Sequence, residues 1–264
     1  GPAMPLKFIV MSDLHLSCSP GGPIDPLQRA HAAMASVATD HADAAFIVLA
    51  GDLVDTGTVA EYALLREVVE AAPVPVHCTL GNHDDRPAFL EVFGAGARAD
   101  TGHIQRTVYR DGQAVILLDS HEPGTYGGAL CAQRLDWLDR TLNETAGLPV
   151  IVVIHHPPYR LMSTVDRIGL DKPQQLMSRL AAHGQVRQVI SGHVHRTSSA
   201  IVGGIACATL SGNVACSSLT MASVPRPLHQ FDGPGQYAIV VSDAEQTLLH
   251  FHDFHTAQQV LPET

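Results

Sequence analysis

The sequence predicts an α/β fold. Short continuous apolar runs, the mark of strands buried on both faces, alternate with stretches carrying helix-start signals from Lys7 to about Ile190. Beyond position 200 the helical stretches stop and strands follow one another. Five of the apolar runs end in a short polar block: Asp13-Leu14-His15, Gly51-Asp52, Gly81-Asn82-His83-Asp84, His155-His156-Pro157 and Gly192-His193-Val194-His195. Strands that alternate with helices deliver such blocks to strand C-terminal ends, where α/β proteins keep their active sites.

Lys7 to Met11 reads as the first buried strand, and the Ser, Pro and Gly cluster from Ser17 to Pro23 reads as loop. Asp25 is placed as an N-cap with Pro26 at the first helical position and Gln28 three residues after the cap, so a helix should run to about His41. Ala45 to Ala50 is the second strand. Thr58 and Glu61 form a capping box that opens a helix to about Ala71, before Pro73 and Pro75 break the pattern. Val74 to Leu80 is the third strand and Arg86 to Phe93 a short helix. Thr107 to Tyr109 and Ala114 to Leu118 flank Asp111-Gly112, a hairpin signal. A helix from about Gln133 to Leu142 buries Trp137, Val150 to Ile154 is a strand, Lys172 to His183 is a helix behind Asp171, and Val186 to Ile190 is a strand. Ala200 to Val202, Ile205 to Leu210, Tyr237 to Val241 and Leu248 to His252 then read as the second half of a β-rich sandwich. Between them lies a loop from Gly212 to Gly235, longer than the ~12 to 15 residues beyond which loops are usually functional or disordered.

At 264 residues the chain suits a single domain spanning residues 4–264. A composition of 45% hydrophobic and 16% charged residues is that of a globular protein, and no apolar run reaches the ~20 residues of a membrane span. The net charge of -10 and the scattered basic residues argue against binding of long nucleic acid. The five cysteines, an odd number at irregular spacings, fit neither a disulfide framework nor a zinc knuckle and point to a reducing, cytoplasmic setting. Gly1-Pro2-Ala3 before Met4 has the look of a tag remnant, while the terminal LPET is equally compatible with a natural end or a remnant.

The blocks offer carboxylate, amide and imidazole donors and no thiolate, a set suited to Mn, Fe, Zn or Co. The spacing of Asp13 with His15, and of His193 with His195, suits a strand end or a tight turn that projects residues two apart from one face. Asp52 stands after a glycine, and its two carboxylate oxygens can bridge two ions. Two ions ~3.5 to 4 Å apart would clamp the attacking and leaving oxygens of an in-line displacement at phosphorus.

The ordered set DLH, GDLVD, GNHDD, VVIHHP and GHVH resembles the calcineurin-like binuclear metallophosphoesterases, within them the bacterial class III cyclic nucleotide phosphodiesterases and the related glycerophosphodiesterases. The resemblance runs from Lys7 to about Ser211 and implies a four-layer αββα sandwich. It implies one metal on Asp13, His15 and His195, a second on Asn82, His155 and His193, and Asp52 bridging them. The family's VxxH form, met by Val152 to His155, assigns His155 and leaves His156 a supporting role. His83 would stand beside the leaving-group oxygen, and Asp84 would accept a hydrogen bond from an imidazole and orient it. Mn or Fe are the first expectation for the two divalent or trivalent ions, with Zn or Co next.

These residues imply hydrolysis of small phosphodiesters, cyclic nucleotides or glycerol and alkyl diesters, by attack of a metal-bound hydroxide, with His83 serving the leaving group. A phosphomonoesterase on the same ions is the alternative. A non-catalytic scaffold is the reading from a different class, and the presence of every ligand position and of His83 counts against it. The family also implies a homo-oligomer, a dimer or higher. The second metal, with a neutral amide where the first has Asp13, is expected to bind more weakly. His250, His252 and His255 read as a strand face rather than a metal tract. Arg226 and His229 in the late loop are candidates for touching a phosphate or nucleobase, and His121, Tyr126 and the glycines from Gly124 to Gly128 for a rim.

Overall fold

The computed structural model describes residues 4–256, 259, 261 and 262. The Gly1-Pro2-Ala3 segment and the last two residues of LPET lie outside them. Two sheets stack face to face, with helices covering the outer face of each, so the layers run α/β/β/α.

The first sheet has the order β13-β12-β1-β2-β3, built from Thr247–His255, Gly235–Ser242, Leu6–Met11, Ile47–Ala50 and Val76–Thr79. Its β1, β2 and β3 are parallel, and β12 and β13 are antiparallel additions. The second sheet has the order β4-β5-β6-β7-β9-β8, from Arg106–Arg110, Gln113–Leu118, Val150–Ile154, Val186–Ser191, Ile205–Thr209 and Ser198–Val202. Here β5, β6, β7 and β9 are parallel, with β4 and β8 antiparallel at the edges.

The layering explains the unbroken apolar runs. In β1, Ile9 and Met11 pack under the helices α1 (Pro26–Asp40) and α2 (Val59–Glu70). Phe8 and Val10 point the other way, into the layer between the sheets, against side chains such as Val115, Val153 and Ile190. On the far side α4 (Ala132–Glu144) and α5 (Pro173–His183) cover the outer residues of β5 and β6 through Leu138, Leu142, Leu176 and Leu180. Strand alternation therefore meets an apolar layer on both sides.

The local signals for helices operate as read. Asp25 accepts from the backbone N–H groups of Leu27 and Gln28, and Thr58 and Glu61 close both halves of the capping box. The short α3 (Arg86–Phe93) is capped by Asp85. Asp111 and Gly112 both take positive φ, 51° and 74°, as a two-residue hairpin turn between β4 and β5 requires.

Two expectations differ. Helix α5 starts at Pro173 behind Lys172, a left-handed residue (φ 47°) with no side-chain cap, because the ring of Pro173 disfavours helical geometry before it. Asp171 instead gives its N–H to the Gly128 carbonyl at 2.7 Å. The late strands do not form one half of a sandwich: β8 and β9 extend the second sheet, whereas β12 and β13 join the first. The alternation in β12 dictates this, since Ala238 and Val240 fill the layer between the sheets while Tyr237 and Ile239 face the helices. The long loop after β9 carries a short antiparallel pair, Cys216–Ser217 with Gln230–Phe231.

Candidate metal centre

The five polar blocks follow β1, β2, β3, β6 and β7, so they meet where the C-terminal ends of both parallel strand sets converge. Continued strand geometry does not aim them. Asp13, His15, Asp52, His193 and His195 have φ of 55°, 47°, 49°, 73° and 51°, five of the eight non-glycine residues with positive φ among the described residues. Alternating left-handed residues turn Asp13 and His15 to one side while Leu14 stays buried in the core. Each such residue costs roughly 1–3 kcal/mol and persists only where its surroundings fix it. Here the backbone does so: Asp13 N and His15 N donate to Gly51 O and Asp52 O, both at 3.0 Å, and Gly192 N donates to His155 O at 3.1 Å.

Close approach demands the glycines. A Cβ on Gly192 would lie 2.6 Å from both the Asp13 carboxylate and the Ser12 hydroxyl, and one on Gly51 would lie 2.6 Å from the ring of His155.

Two largely buried donor sets share Asp52: one joins Asp13, His15, Asp52 and His195, and the other Asp52, His155 and His193; a third, half-buried group of His15, Asp55 and His83 lies beside them. His195 Nε2 lies 3.2 Å from Asp13 Oδ1 and 3.3 Å from His15 Nε2, which is 3.7 Å from Asp52 Oδ2. The same Asp52 oxygen is 3.2 Å from His155 Nε2. Donors held about 2.0–2.2 Å from one ion stand about 3.0–3.6 Å apart, so these spacings suit shared coordination. Asp13 Oδ1, Asn82 Oδ1 and His155 Nε2 are buried without a hydrogen-bond partner among the described residues, an arrangement costly unless a ligand meets them. The donors present thus fit a pair of metal ions.

The second ring atoms of His15, His155 and His193 are tied down, whereas His195 Nδ1 is buried without a partner among the described residues. His155 Nδ1 reaches Ala50 O at 2.8 Å, leaving Nε2 for the site. His15 Nδ1 meets Asp55 Oδ1 at 3.1 Å, and His83 Nδ1 meets Asp55 O at 2.8 Å. His193 uses Nε2 on Ile168 O, 2.7 Å away, which leaves its Nδ1. His156 is committed on both sides, to Ser120 Oγ at 2.7 Å and Tyr126 O at 3.0 Å, so it has no atom to offer.

Electrostatics follow. Burial opposes charge on His15, but its hydrogen bonds to Asp13 and Asp55 and the charge of Asp52 outweigh burial and raise its pKa to about 10. Burial likewise opposes charge on His155, and Asp52 raises it to about 9. Against the same burial, His195 holds Asp13 and His155 holds Asp52 below the usual carboxylate range. Burial, followed by the charge of His155, lowers His193 to about 4. Metal ions bound to these donors would compete with protons on His15 and His155.

The calcineurin-like phosphoesterase family pattern matches residues 6–197, well over half of the chain. The chain belongs to the calcineurin-like phosphoesterases. It is 33% identical over 201 residues to a probable cyclic nucleotide phosphodiesterase of Synechococcus sp., covering 74% of this chain and 76% of that one. A probable cyclic nucleotide phosphodiesterase of Rhodopseudomonas palustris is 29% identical over 255 residues, 93% of this chain and 91% of the other. The crystal structure of a dimetal phosphatase from Danio rerio shares the fold, with a TM-score of 0.67 at 17% identity over 94% of this chain and 99% of that chain.

Several residues around the phosphoesterase site escaped the sequence reading. Asp55 fixes His15 through its carboxylate and His83 through its carbonyl, and only its place in GDLVD hinted at this. Asp84 meets no imidazole among the described residues. It accepts from Gly81 N (2.8 Å), Leu53 N (3.2 Å) and the Tyr62 hydroxyl (2.8 Å), tying the turns after β2 and β3 together. Burial, then the charge of Asp52, pushes its pKa up to about 7. Behind His156, Asp119 is buried and takes a two-pronged bond from Arg86 at 2.9 and 3.0 Å.

A cavity of about 600 Å³ opens beside the donors, lined by His15, His83, His193 and His195 and by residues from three further segments, 159–168, 196–200 and the loop positions 217–220, 228 and 230. Arg29, a buried residue of α1, anchors the loop that supplies the last of these, donating to Asn213 O at 3.1 Å and Asp232 O at 2.9 Å. Arg226 and His229 are exposed and do not line the cavity. Tyr126 is exposed, with its ring 6.4 Å from that of His83, whereas His121 is buried. His250 and His255 are exposed, His252 packs 5.2 Å from the Tyr237 ring, and none joins a metal-like cluster among the described residues.

Proposed function

We propose that this phosphoesterase hydrolyses small phosphodiesters, cyclic nucleotides or glycerol and alkyl diesters. In this reading Asp13, His15 and His195 would hold one metal ion and Asn82, His155 and His193 a second, with Asp52 shared between them. Bound there, the ions supply Lewis-acid activation of water and neutralisation of charge on the phosphoryl group. The observation that carries the reading is the Asp52 Oδ2 atom, 3.7 Å from His15 Nε2 and 3.2 Å from His155 Nε2, with orphaned donor atoms on either side.

The residues then divide the work. His83 lines the cavity with Nδ1–H donated to the Asp55 carbonyl, which leaves Nε2 for the substrate; the doubly protonated ring can pass its Nε2 proton to the leaving oxygen as the P–O bond breaks and return to the neutral Nδ1–H form. Water supplies the new oxygen on phosphorus, and the products are a phosphomonoester and an alcohol. Ser12 Oγ, 2.6 Å from Asp13 Oδ2, and His193 N, 3.2 Å from the same atom, turn the other oxygen of Asp13 toward its neighbours.

The carboxylate, amide and imidazole donors favour Mn or Fe, with Zn or Co next. The five cysteines, all free, support a reducing, cytoplasmic setting, and no helix among the described residues is long and apolar enough to cross a membrane. A homo-oligomer is carried forward from the family resemblance and is checked by light scattering.

The test is hydrolysis of 3′,5′- and 2′,3′-cyclic nucleotides, a glycerophosphodiester, bis(p-nitrophenyl) phosphate and p-nitrophenyl phosphate, each with Mn, Fe, Co or Zn. The expected result is turnover of diesters above the monoester. Preference for the monoester would move the assignment to a phosphomonoesterase, and inertness toward every diester with every ion would overturn it.

A further inference from the structure

The cavity beside the metal centre has a charge at odds with the rest of the chain. The protein carries 26 acidic against 16 basic residues, yet Arg160, Arg167 and Arg196 all line this one cavity, and no aspartate or glutamate among the described residues does. The nearest acidic group of that wall, Asp166, is turned into its own backbone, accepting from Leu161 N at 2.7 Å and Ser163 N at 3.3 Å. Three of the basic residues that look scattered along the sequence are brought together by the fold.

The arginines have little other employment. Arg167 donates to Thr164 O at 3.2 Å and Arg196 to Ser217 O at 3.3 Å, each through one nitrogen, and Arg160 has no acceptor among the described residues. Free guanidinium forks match phosphoryl oxygens in pairs. The scissile diester carries a single negative charge, which the ions of the proposed site already face, so three further cations exceed what it needs. At about 600 Å³, within the ~300–1,000 Å³ usual for small-ligand pockets, and with Tyr159, Leu161, Val194 and Leu228 as apolar wall, the cavity has room for a nucleoside-sized group.

We propose that the substrate is a phosphodiester carrying a second phosphoryl group, borne on the alcohol or nucleoside that fills this cavity and bound by Arg160 and Arg196 with Arg167. The proposal rests on the phosphodiesterase reading of the same site. It separates this chain's substrate from a simple cyclic mononucleotide, whose only charge lies at the reacting phosphorus.

Calorimetric titration of the Mn-loaded protein with AMP and with adenosine 3′,5′-bisphosphate tests the second phosphoryl group independently of turnover. The bisphosphate should bind at least about tenfold more tightly. In R160Q/R196Q the two affinities should fall within about twofold, whereas R226Q, outside the cavity, should keep the preference. Hydrolysis supplies a second arm, in which the 5′-phosphorylated dinucleotide pApA should exceed ApA at least about tenfold in kcat/KM. Equal binding of the two nucleotides, a preference that survives R160Q/R196Q, or one that disappears in R226Q would overturn the proposal. Loss of bis(p-nitrophenyl) phosphate hydrolysis by the wild type would instead strike the phosphodiesterase reading, and the binding ratio would still decide this one.

Discussion

The floor and the wall of the same cavity are built on opposite terms. The floor consists of the turns after β1, β2, β3, β6 and β7, where Asp13, His155 and Asp52 are at most 1% exposed and five residues hold left-handed backbone. The wall is drawn from residues 159–168, 196–200 and the loop after β9, and it leaves Leu219 52% and Leu228 56% exposed. The difference teaches what each part must specify. Shared coordination fixes donor atoms to within a few tenths of an ångström, which restricts residue type, spacing and backbone together. A wall must supply volume, apolar surface and charge, and many sequences meet that demand.

The sharpest way to break this comparison is at the floor. Asp52→Ala removes the carboxylate common to both donor sets, so metal content by elemental analysis should fall at both positions and hydrolysis should drop by more than about 10³-fold. If the variant kept two ions and its turnover, the floor would not be what organises the site.

His83→Ala tests a residue placed where floor meets wall. Its ring is no part of the buried donor sets, so two ions should remain bound while turnover of alkyl diesters drops about 10²- to 10⁴-fold. Bis(p-nitrophenyl) phosphate, whose leaving group departs without a proton, should lose far less. An equal loss on both substrates would remove His83 from proton transfer.

The floor also rests on a polar buttress. Removing one partner of a buried ion pair costs roughly 3–5 kcal/mol, so Asp119→Ala, which strands Arg86, should lower stability to chemical denaturation by about that much at pH 7. The pH dependence has a definite sign. Burial disfavours the charge on Asp119, but Arg86 and backbone donors outweigh it and hold the folded-state pKa below the ordinary value. The contribution is therefore complete above the unfolded value of about 3.9 and is lost as pH falls through the folded one. Wild type and variant should converge in stability only below about pH 4, and convergence already near neutrality would refute the pairing.

The same contrast decides what the sequence made legible. The apolar runs of β1, β2, β5 and β6 are continuous because both faces of each strand meet a buried layer, so strand positions and the α/β class follow from the order of apolar runs and helix signals. The polar blocks follow from order and spacing. That Asp13 and His15 converge through left-handed turns rather than pleated strand could not be read, because it depends on hydrogen bonds to the turn after β2, some 40 residues away. Asp84 was misread for a similar reason, since its partners are backbone N–H groups and a tyrosine hydroxyl, groups that leave no pattern in sequence. Arg160, Arg167 and Arg196 were invisible as a set because the first two come with the 159–168 segment and the third follows His195, and only the folded chain brings those segments to one cavity, which the loop after β9 closes. The contact of that loop with the 159–168 segment is small: Ser163 Oγ to Thr220 Oγ1 at 3.1 Å and Ala222 N to Met162 O at 2.7 Å.

The smallest expected effect is the most telling about the wall. Leu228 is 56% exposed yet lines the cavity, so Leu228→Ser removes apolar surface that the folded protein leaves in water. Stability should change by no more than about 0.5 kcal/mol, as for exposed positions generally. A ligand that covers the side chain recovers roughly 25 cal/mol per Å² of apolar area removed from water, and the serine forfeits it. KM for a nucleotide diester should therefore rise severalfold, measured beside the thermal midpoint of the same preparation. A drop in stability with KM unchanged would mean that Leu228 belongs to the scaffold, and the division between a rigid floor and a wall shaped for substrate would have to be redrawn along the 217–230 segment.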